Sequence, residues 1–502
     1  MIKQLHEKLI NKEISATELT QDYLSRIKNK NPILNAFITI TEKQALEQAQ
    51  KIDKEILNKK EISMLAGIPA SIKDLIMTKG IQTTAGSKIL ENYIAPYDAT
   101  VVKKLKQQGI VILGKNNCDE FAMGGSGENS GFGATKNPYN LTRVPGGTSS
   151  GSAAAVSADL SVYSIASDTG GSVRQPSAFC GTVGFKPTYG AISRFGLIAD
   201  ASSLDQIGII SKSVEDAEIV FNFIKGRDLL DSTSLEFPIS KKQFPNKFQF
   251  PISKKDLKNL KIGVPKEYFT HLRQGYGGQV SGLDKEVETA VKNVIKKCEK
   301  LGAEIISVSL PNTEYALAVY YIIQPSEAPA NLARFDGIRY GKSKIKNQKS
   351  KVKSIFEVYS KTRAKYFGDE VKRRIMLGTY ALSAGYFDAY YKKAQKVRTL
   401  IKQDFEKVFS QDKIDLLITP TTPTPAFKLG EKTADPLQMY LQDIFTVPVN
   451  VAGLPAISIP CGKTKNLSSG RQGNLPIGAQ LIGSWGKEEI LFEVGKVLEN
   501  DL

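Results

Sequence analysis

The sequence predicts one large α/β domain, a central mixed β-sheet covered by α-helices on both faces. Three observations carry that expectation. Stretches with helical spacing alternate with short apolar runs, as in KIGVPKEYF, EVETAVKNVIKKCEKLGA and EIISVSL. Hydrophobic residues make up 41% of the 502, enough for a sizeable core, and charged residues 24%, as in ordinary globular proteins. No shift in composition sets off a second domain, so residues 1–502 read as one unit.

The elements follow in order. SATELTQDYLSRIKN opens on Ser15 with Glu18 three residues later, a capping box, and Leu19, Tyr23 and Ile27 then recur at helical spacing. Peripheral helices are therefore expected over residues 1–60. LAGIPASIKDLI (65–76) is an apolar run that ends at Lys73 and Asp74, and GIVILGKNN (109–117) reads as a buried strand leaving into a loop. From 121 to 208 the composition turns to Gly, Ser, Thr and Ala, with SSGSAAAVSADLS as a closely packing helix, so the chemistry is expected within about 65–210. The stretch 232–258 holds the near-duplicates PISKKQF and PISKKDL and reads as a surface linker. Beyond it a βαβ unit is expected, interrupted by the glycine-rich THLRQGYGGQVSG. Long helical patterns (365–409), the strand DLLITP and the loop TTPTPAF complete the chain.

Several function classes are disfavoured. No apolar run is long enough to span a bilayer and the start MIKQLHEKLINKEI lacks a secretory core, which predicts a cytoplasmic protein without membrane contact. Cys118, Cys180, Cys298 and Cys461 are scattered and read as free packing thiols; no metal site is expected. The net charge of +17, with KSKIKNQKSKVKS (342–354), would suit RNA, yet no interleaved aromatic motif accompanies it and a solvated lysine-rich surface is the plainer reading. His6 and His271 are the only histidines, so hydrolysis here is expected to proceed without imidazole.

The densest chemical signal is SDTGGSVRQPSAFCG (167–181). Adjacent glycines let the backbone approach a ligand, so amides of Thr169, Gly170, Gly171 and Ser172 can be aimed at one point as an oxyanion hole, with Ser172 as nucleophile. A tight turn would use the same residues. The added signals are a second glycine-serine cluster, VPGGTSSGS (144–152), and Lys73 in SIKDL.

These three pieces resemble the amidase signature family, serine hydrolases that work with Ser, cis-Ser and Lys. The resemblance implies a single amidase-signature domain with Ser172 as acyl-forming nucleophile and Lys73 as ultimate base. The hydroxyl between them would relay the proton. By the family's spacing the relay falls on Thr148 where serine is usual, with Ser149 as reserve. Lys73 acts as a base only when neutral, which near neutral pH requires a drop of roughly three pKa units from about 10.4, supplied by burial among hydroxyls. Asp168 and Arg174 are implied to be a buried pair that fixes the loop.

EYALAVYYIIQPSEAPANLARFDGIRYG, VKRRIMLGTYALSAGYFDAYYKKAQKVRTLI and PLQMYLQDIFTVPVNVAGLPAISIPCG resemble one branch of that family, the A subunits of glutamyl-tRNA(Gln)/aspartyl-tRNA(Asn) amidotransferases. This implies hydrolysis of glutamine, with ammonia passed to a B subunit that converts Glu-tRNA(Gln) using ATP and Mg2+. It also implies a small C subunit, tRNA contact mainly through B, and no cofactor in this chain. It assigns Arg374 to the α-carboxylate of glutamine, Asp443 to its α-ammonium and Tyr321 to a pocket wall. Without the resemblance, Arg374 in KRR reads as a surface charge and Asp443 as a helix cap.

Other readings compete. A stand-alone small-molecule amidase shares the Ser–Lys chemistry. GTSSG (147–151) matches a nucleophile elbow with Ser149 as nucleophile, but that site needs a late histidine and only His271 is available. GIRYGKS is one residue short of a P-loop.

Overall fold

The computed structural model describes residues 1–236, 256–269, 282–341, 354–465 and 473–499. The basic run at 342–353, the insertion at 270–281 with His271, and the interior of the expected linker, 237–255, lie outside the described residues.

Eleven described strands form one sheet: β1 (Phe37–Ile40), β2 (Pro69–Lys73), β3 (Val111–Asn116), β4 (Tyr163–Asp168), β5 (Val183–Lys186), β6 (Gln206–Ser211), β7 (Lys261–Pro265), β8 (Glu304–Val308), β9 (Leu416–Pro420), β10 (Ala456–Lys463) and β11 (Pro476–Gly483). Their order is β1-β3-β2-β4-β6-β5-β10-β11-β9-β7-β8. The sheet is mixed as expected: β2 runs parallel to β3 and β4, the middle strands from β4 to β9 alternate antiparallel, and β9, β7 and β8 are parallel again. The βαβ unit is present, with Lys285–Lys300 between β7 and β8.

Period-two alternation explains why the central strands are continuous apolar runs. Ile165, Ile209, Ile457 and Leu481 face a core shared with helices Val214–Ile224, Lys285–Lys300 and Glu488–Glu499. Their chain neighbours turn the other way: Ala166 and Ile210 meet the short helices Ser150–Ser157 and Arg174–Cys180, while Ala456 and Ile482 meet Ala316–Leu332 and Lys393–Glu406. Both faces are covered, so strands need apolar side chains on each side.

The N-terminal helices pack on the edge near β3. Ala16–Leu34 begins with the capping box read from the sequence, Ser15 accepting from the Glu18 amide and Glu18 accepting from the Ser15 amide. His6 is buried in the helix Ile2–Ile10. All four cysteines are free and buried. The described ends of the expected linker 232–258 are tied to the rest of the chain. At one end Leu235 donates its amide to Gly190, and at the other Leu257 is fully buried and its amide donates to Leu301. Among the described residues no helix is long and apolar enough to cross a membrane.

Candidate active site

The parallel pairing of β2 and β4 brings their carboxyl ends together, where open α/β sheets gather their ligands. Lys73 is the last residue of β2, and Ser167 and Asp168 close β4. Lys73 Nζ, fully buried, lies 2.7 Å from Thr148 Oγ1, 2.9 Å from Ser149 Oγ and 2.9 Å from Ser167 Oγ. Burial pushes its pKa down to about 8, against the weaker pull of Cys118, Asp119 and Asp168. Asp74 points away from this cluster, pairing with the buried Lys115 at 3.5 Å and accepting the Thr84 amide, so the neighbouring carboxylate does not hold the Lys73 proton.

Thr148 and Ser149 enter from the glycine-serine cluster. The Gly147–Thr148 peptide is cis, and Gly146 lies at φ +86. The loop is clamped by Gln175, whose Oε1 accepts the Gly147 amide at 2.8 Å, and by the Asp119 amide donating to the Thr148 carbonyl at 3.3 Å. The two hydroxyls differ in their commitments. Ser149 Oγ donates to the Ser167 carbonyl at 3.0 Å, whereas Thr148 Oγ1 donates to no described group.

Ser172 sits in the turn between β4 and the helix Arg174–Cys180, 8% exposed, and its carbonyl accepts the Ser149 amide at 3.3 Å. The turn is built on Asp168, which accepts the Gly171 amide at 2.9 Å and the Val173 amide at 3.1 Å. Arg174 grips the same carboxylate through Nε and Nη2, each at 3.0 Å, and the pair is fully buried. Burial alone would raise the Asp168 carboxyl, but Arg174 holds it at about 2.

The four amides expected to form the oxyanion hole differ in their bonds. The Gly171 N–H is spent on Asp168, while the amides of Thr169, Gly170 and Ser172 donate to no other described group. The paired glycines still have a physical cause. Gly171 has φ +134 and its Cβ would overlap Thr446 Oγ1, and a Cβ on Gly170 would lie 2.7 Å from the Tyr320 ring.

Arg374 and Asp443 converge beside this loop, and neither sits where its local sequence suggested. Arg374, 1% exposed, donates from Nε to Glu370 Oε1 and from Nη1 to Gln324 Oε1, each at 2.8 Å, and its guanidinium lies 5.2 Å from the Tyr321 ring. Its Nη2 is buried without a hydrogen-bond partner among the described residues. Asp443 accepts from Gln175 Nε2 at 3.2 Å and Tyr321 Oη at 3.3 Å, and burial pushes its pKa up to about 8 despite Arg374. Gln175 therefore touches both the relay loop and Asp443. Sequence reasoning missed it, together with Ser167 and Gln324. The one available signal was position, Ser167 and Gln175 flanking the serine motif.

Known proteins resemble the chain along nearly its whole length. The amidase family model matches residues 18–492. The chain is 52% identical over 499 residues to the A subunit of the glutamyl-tRNA(Gln) amidotransferase from Carboxydothermus hydrogenoformans, covering 99% of this chain and 96% of that one. With its counterpart from Thermoanaerobacter pseudethanolicus it is 54% identical over 497 residues, covering 99% and 94%. The crystal structure of the A subunit of the Thermotoga maritima glutamyl-tRNA(Gln) amidotransferase is similar with a TM-score of 0.73 and 40% identity, covering 99% of this chain and 94% of that chain. A peptide amidase from Stenotrophomonas maltophilia follows the same fold with a TM-score of 0.77 at 28% identity, covering 100% and 96%. A family match spanning almost the whole chain, and relatives more than half identical along it, fix the lineage: the chain belongs to the amidase family, in the branch of the glutamyl-tRNA(Gln) amidotransferase A subunits.

Proposed function

We propose that the chain is the glutaminase component of a tRNA-dependent amidotransferase, hydrolysing glutamine to glutamate and ammonia through an acyl-enzyme. The observation that carries the chemistry is Lys73, fully buried and bonded to hydroxyls and a carbonyl rather than a carboxylate, with its pKa brought down to about 8. About a tenth of such amines are neutral at pH 7 and more at slightly higher pH, enough to serve as a base.

In this reading neutral Lys73 draws the proton from Thr148 as Thr148 draws it from Ser172. The Ser172 oxygen attacks the amide carbon of glutamine, and the resulting oxyanion is met by the amides of Thr169, Gly170 and Ser172. Return of the proton along the same path to the departing nitrogen releases ammonia. Water, activated by the same relay, then frees glutamate. Thr148 is favoured over Ser149 because the Ser149 proton is already committed to the Ser167 carbonyl.

Substrate recognition in this reading uses the two buried charges. The unpartnered Arg374 Nη2 receives the α-carboxylate, and Asp443 receives the α-ammonium, with Tyr321 as the wall between them. An arriving cation would draw the Asp443 carboxyl down from its raised pKa and ionise it. The tRNA-dependent step belongs to partner B and C subunits, with ATP and Mg2+ used by B, misacylated tRNA held mainly there, and the assembly working in the cytoplasm. A stand-alone amidase shares the Ser–Lys chemistry, but the peptide amidase is only 28% identical to this chain against 52% for the amidotransferase relative.

The test is ammonia release from glutamine by the purified chain, alone and with its B and C partners, ATP and Glu-tRNA(Gln), with Ser172→Ala as control. Release that requires Ser172 and rises with partners and charged tRNA supports the reading. Intact glutamine under every condition, with Ser172-dependent cleavage of simple amides, overturns it in favour of the stand-alone enzyme.

A further inference from the structure

An unbroken line of buried hydrogen bonds joins Arg374 to the serine loop. Thr169 Oγ1 donates to Asp205 Oδ1 at 2.8 Å. Asp205 Oδ2 accepts the amides of Asp200 at 2.9 Å and Ala201 at 3.1 Å. Asp200 Oδ1 accepts from Gln324 Nε2 at 2.6 Å, and Gln324 Oε1 accepts from Arg374 Nη1 at 2.8 Å. No side chain in this line is more than 3% exposed.

Gln324 holds the decisive place. A guanidinium only donates, so the carboxamide must turn its oxygen to Arg374 and its nitrogen to Asp200. The residue thereby stands as a neutral spacer between a buried cation and a buried acid. Glu370 already pairs with the guanidinium at Nε; were Asp200 to meet it directly as well, a two-pronged contact would occupy the edge that carries Nη2. With Gln324 between them, Nη1 is fixed by one bond and Nη2 stays uncommitted among the described residues. The backbone supports this: Gln324 lies on the helix Ala316–Leu332, which also carries Tyr320 against Gly170 and Tyr321 beside the guanidinium.

We propose that Gln324 is a positioning residue for glutamine recognition. Through its two-ended carboxamide, anchored on Asp200, it keeps the Arg374 guanidinium separated from the acid and open to the α-carboxylate, in register with the loop that bears Ser172. The proposal rests on the reading that Arg374 binds that carboxylate.

The experiment is steady-state ammonia release in the assembled amidotransferase, from glutamine and from 4-aminobutanamide, which is glutamine without its α-carboxylate. Gln324→Met removes both ends of the spacer at similar volume. The ratio of kcat/KM for glutamine to that for 4-aminobutanamide should fall about tenfold, mainly through a raised KM for glutamine, the loss expected for a hydrogen bond to a charged group. In an Arg374→Met background the same change should add less than about twofold, because Gln324 acts through Arg374. Asp200→Leu, which removes the anchor, should lower the ratio, and Asp200→Asn, which keeps an accepting oxygen, should restore it; this pair carries the test if Gln324→Met does not fold. An unchanged ratio in Gln324→Met or Asp200→Leu, or costs that multiply in the double variant, overturns the proposal. Wild-type enzyme that leaves glutamine intact would bring down the functional reading itself, which is distinguishable from a wild type that cleaves glutamine with a ratio these variants do not move.

Discussion

Lys73 Nζ lies 2.7 Å from Thr148 Oγ1 and 2.9 Å from Ser149 Oγ, so distance to the base does not choose between the two hydroxyls. Their other bonds do. Ser149 already donates to the Ser167 carbonyl, while the Thr148 proton has no described acceptor. Thr148→Ala should therefore lower kcat for glutamine by about 10²–10⁴-fold, the usual range for loss of a proton-transfer group. Thr148→Ser should keep most of the activity, and Ser149→Ala should cost less than Thr148→Ala. The reverse order of the two alanine variants would move the relay to Ser149.

The pH profile follows from the same lysine. Burial lowers the Lys73 pKa to about 8, and the neutral amine is the active form, so kcat/KM should rise with pH and level off above about 8. Lys73→Arg keeps the positive charge but cannot deprotonate in this range, and should abolish the rise along with the activity. A profile that falls as pH rises through 8 would require a protonated lysine and contradict its role as base.

Much of this site was legible because its parts are local. Lys73 ends an apolar run, and the Gly-Gly-Ser turn is written in adjacent residues, so strand end and turn could be read without knowing the fold. The donor set was harder. Gly171 looks equivalent to Gly170 in sequence, and only the tertiary grip of Arg174 on Asp168 fixes the carboxylate where it takes the Gly171 amide. Arg374 shows the limit more sharply. Within KRR a cation defaults to the surface, and only the packing of its helix against Ala316–Leu332 buries it beside Gln324 and Tyr321. Gln324 itself lies in an apolar run before Pro325, where nothing local marks it as a partner for an arginine 50 residues away.

Gly171 is predicted to be the least replaceable residue of the serine turn. Its φ of +134 is disfavoured for any side chain, and a Cβ there would meet Thr446 Oγ1, which is itself fixed by donating to the Gly170 carbonyl at 2.7 Å. Gly171→Ala should cost about 1–3 kcal/mol of stability and most of the glutaminase activity. Thermal denaturation alongside ammonia release checks this. Wild-type melting and turnover in Gly171→Ala would mean that the loop relaxes freely and that its geometry is not what aims the amides.

Asp168 and Arg174 make the turn sensitive to acid. The Asp168 carboxyl is held at about 2, below its ordinary 3.8: burial pushes it up, but Arg174, with Lys186 and Asn450, together outweigh that. A depressed carboxylate stabilises the fold fully above its unfolded pKa and loses that contribution as pH falls through its folded one, so the window here is about pH 4 down to 2. The linked stability is about 2 kcal/mol at neutral pH. Asp168→Asn keeps the shape but leaves Arg174 buried without its counter-charge, which should cost about 3–5 kcal/mol at pH 7. Urea unfolding of both proteins from pH 7 to 2 should show the gap narrowing below pH 4, as wild type loses what the variant never had. A gap that stays constant with pH would mean that Asp168 holds the turn through neutral hydrogen bonds and that its charge contributes nothing.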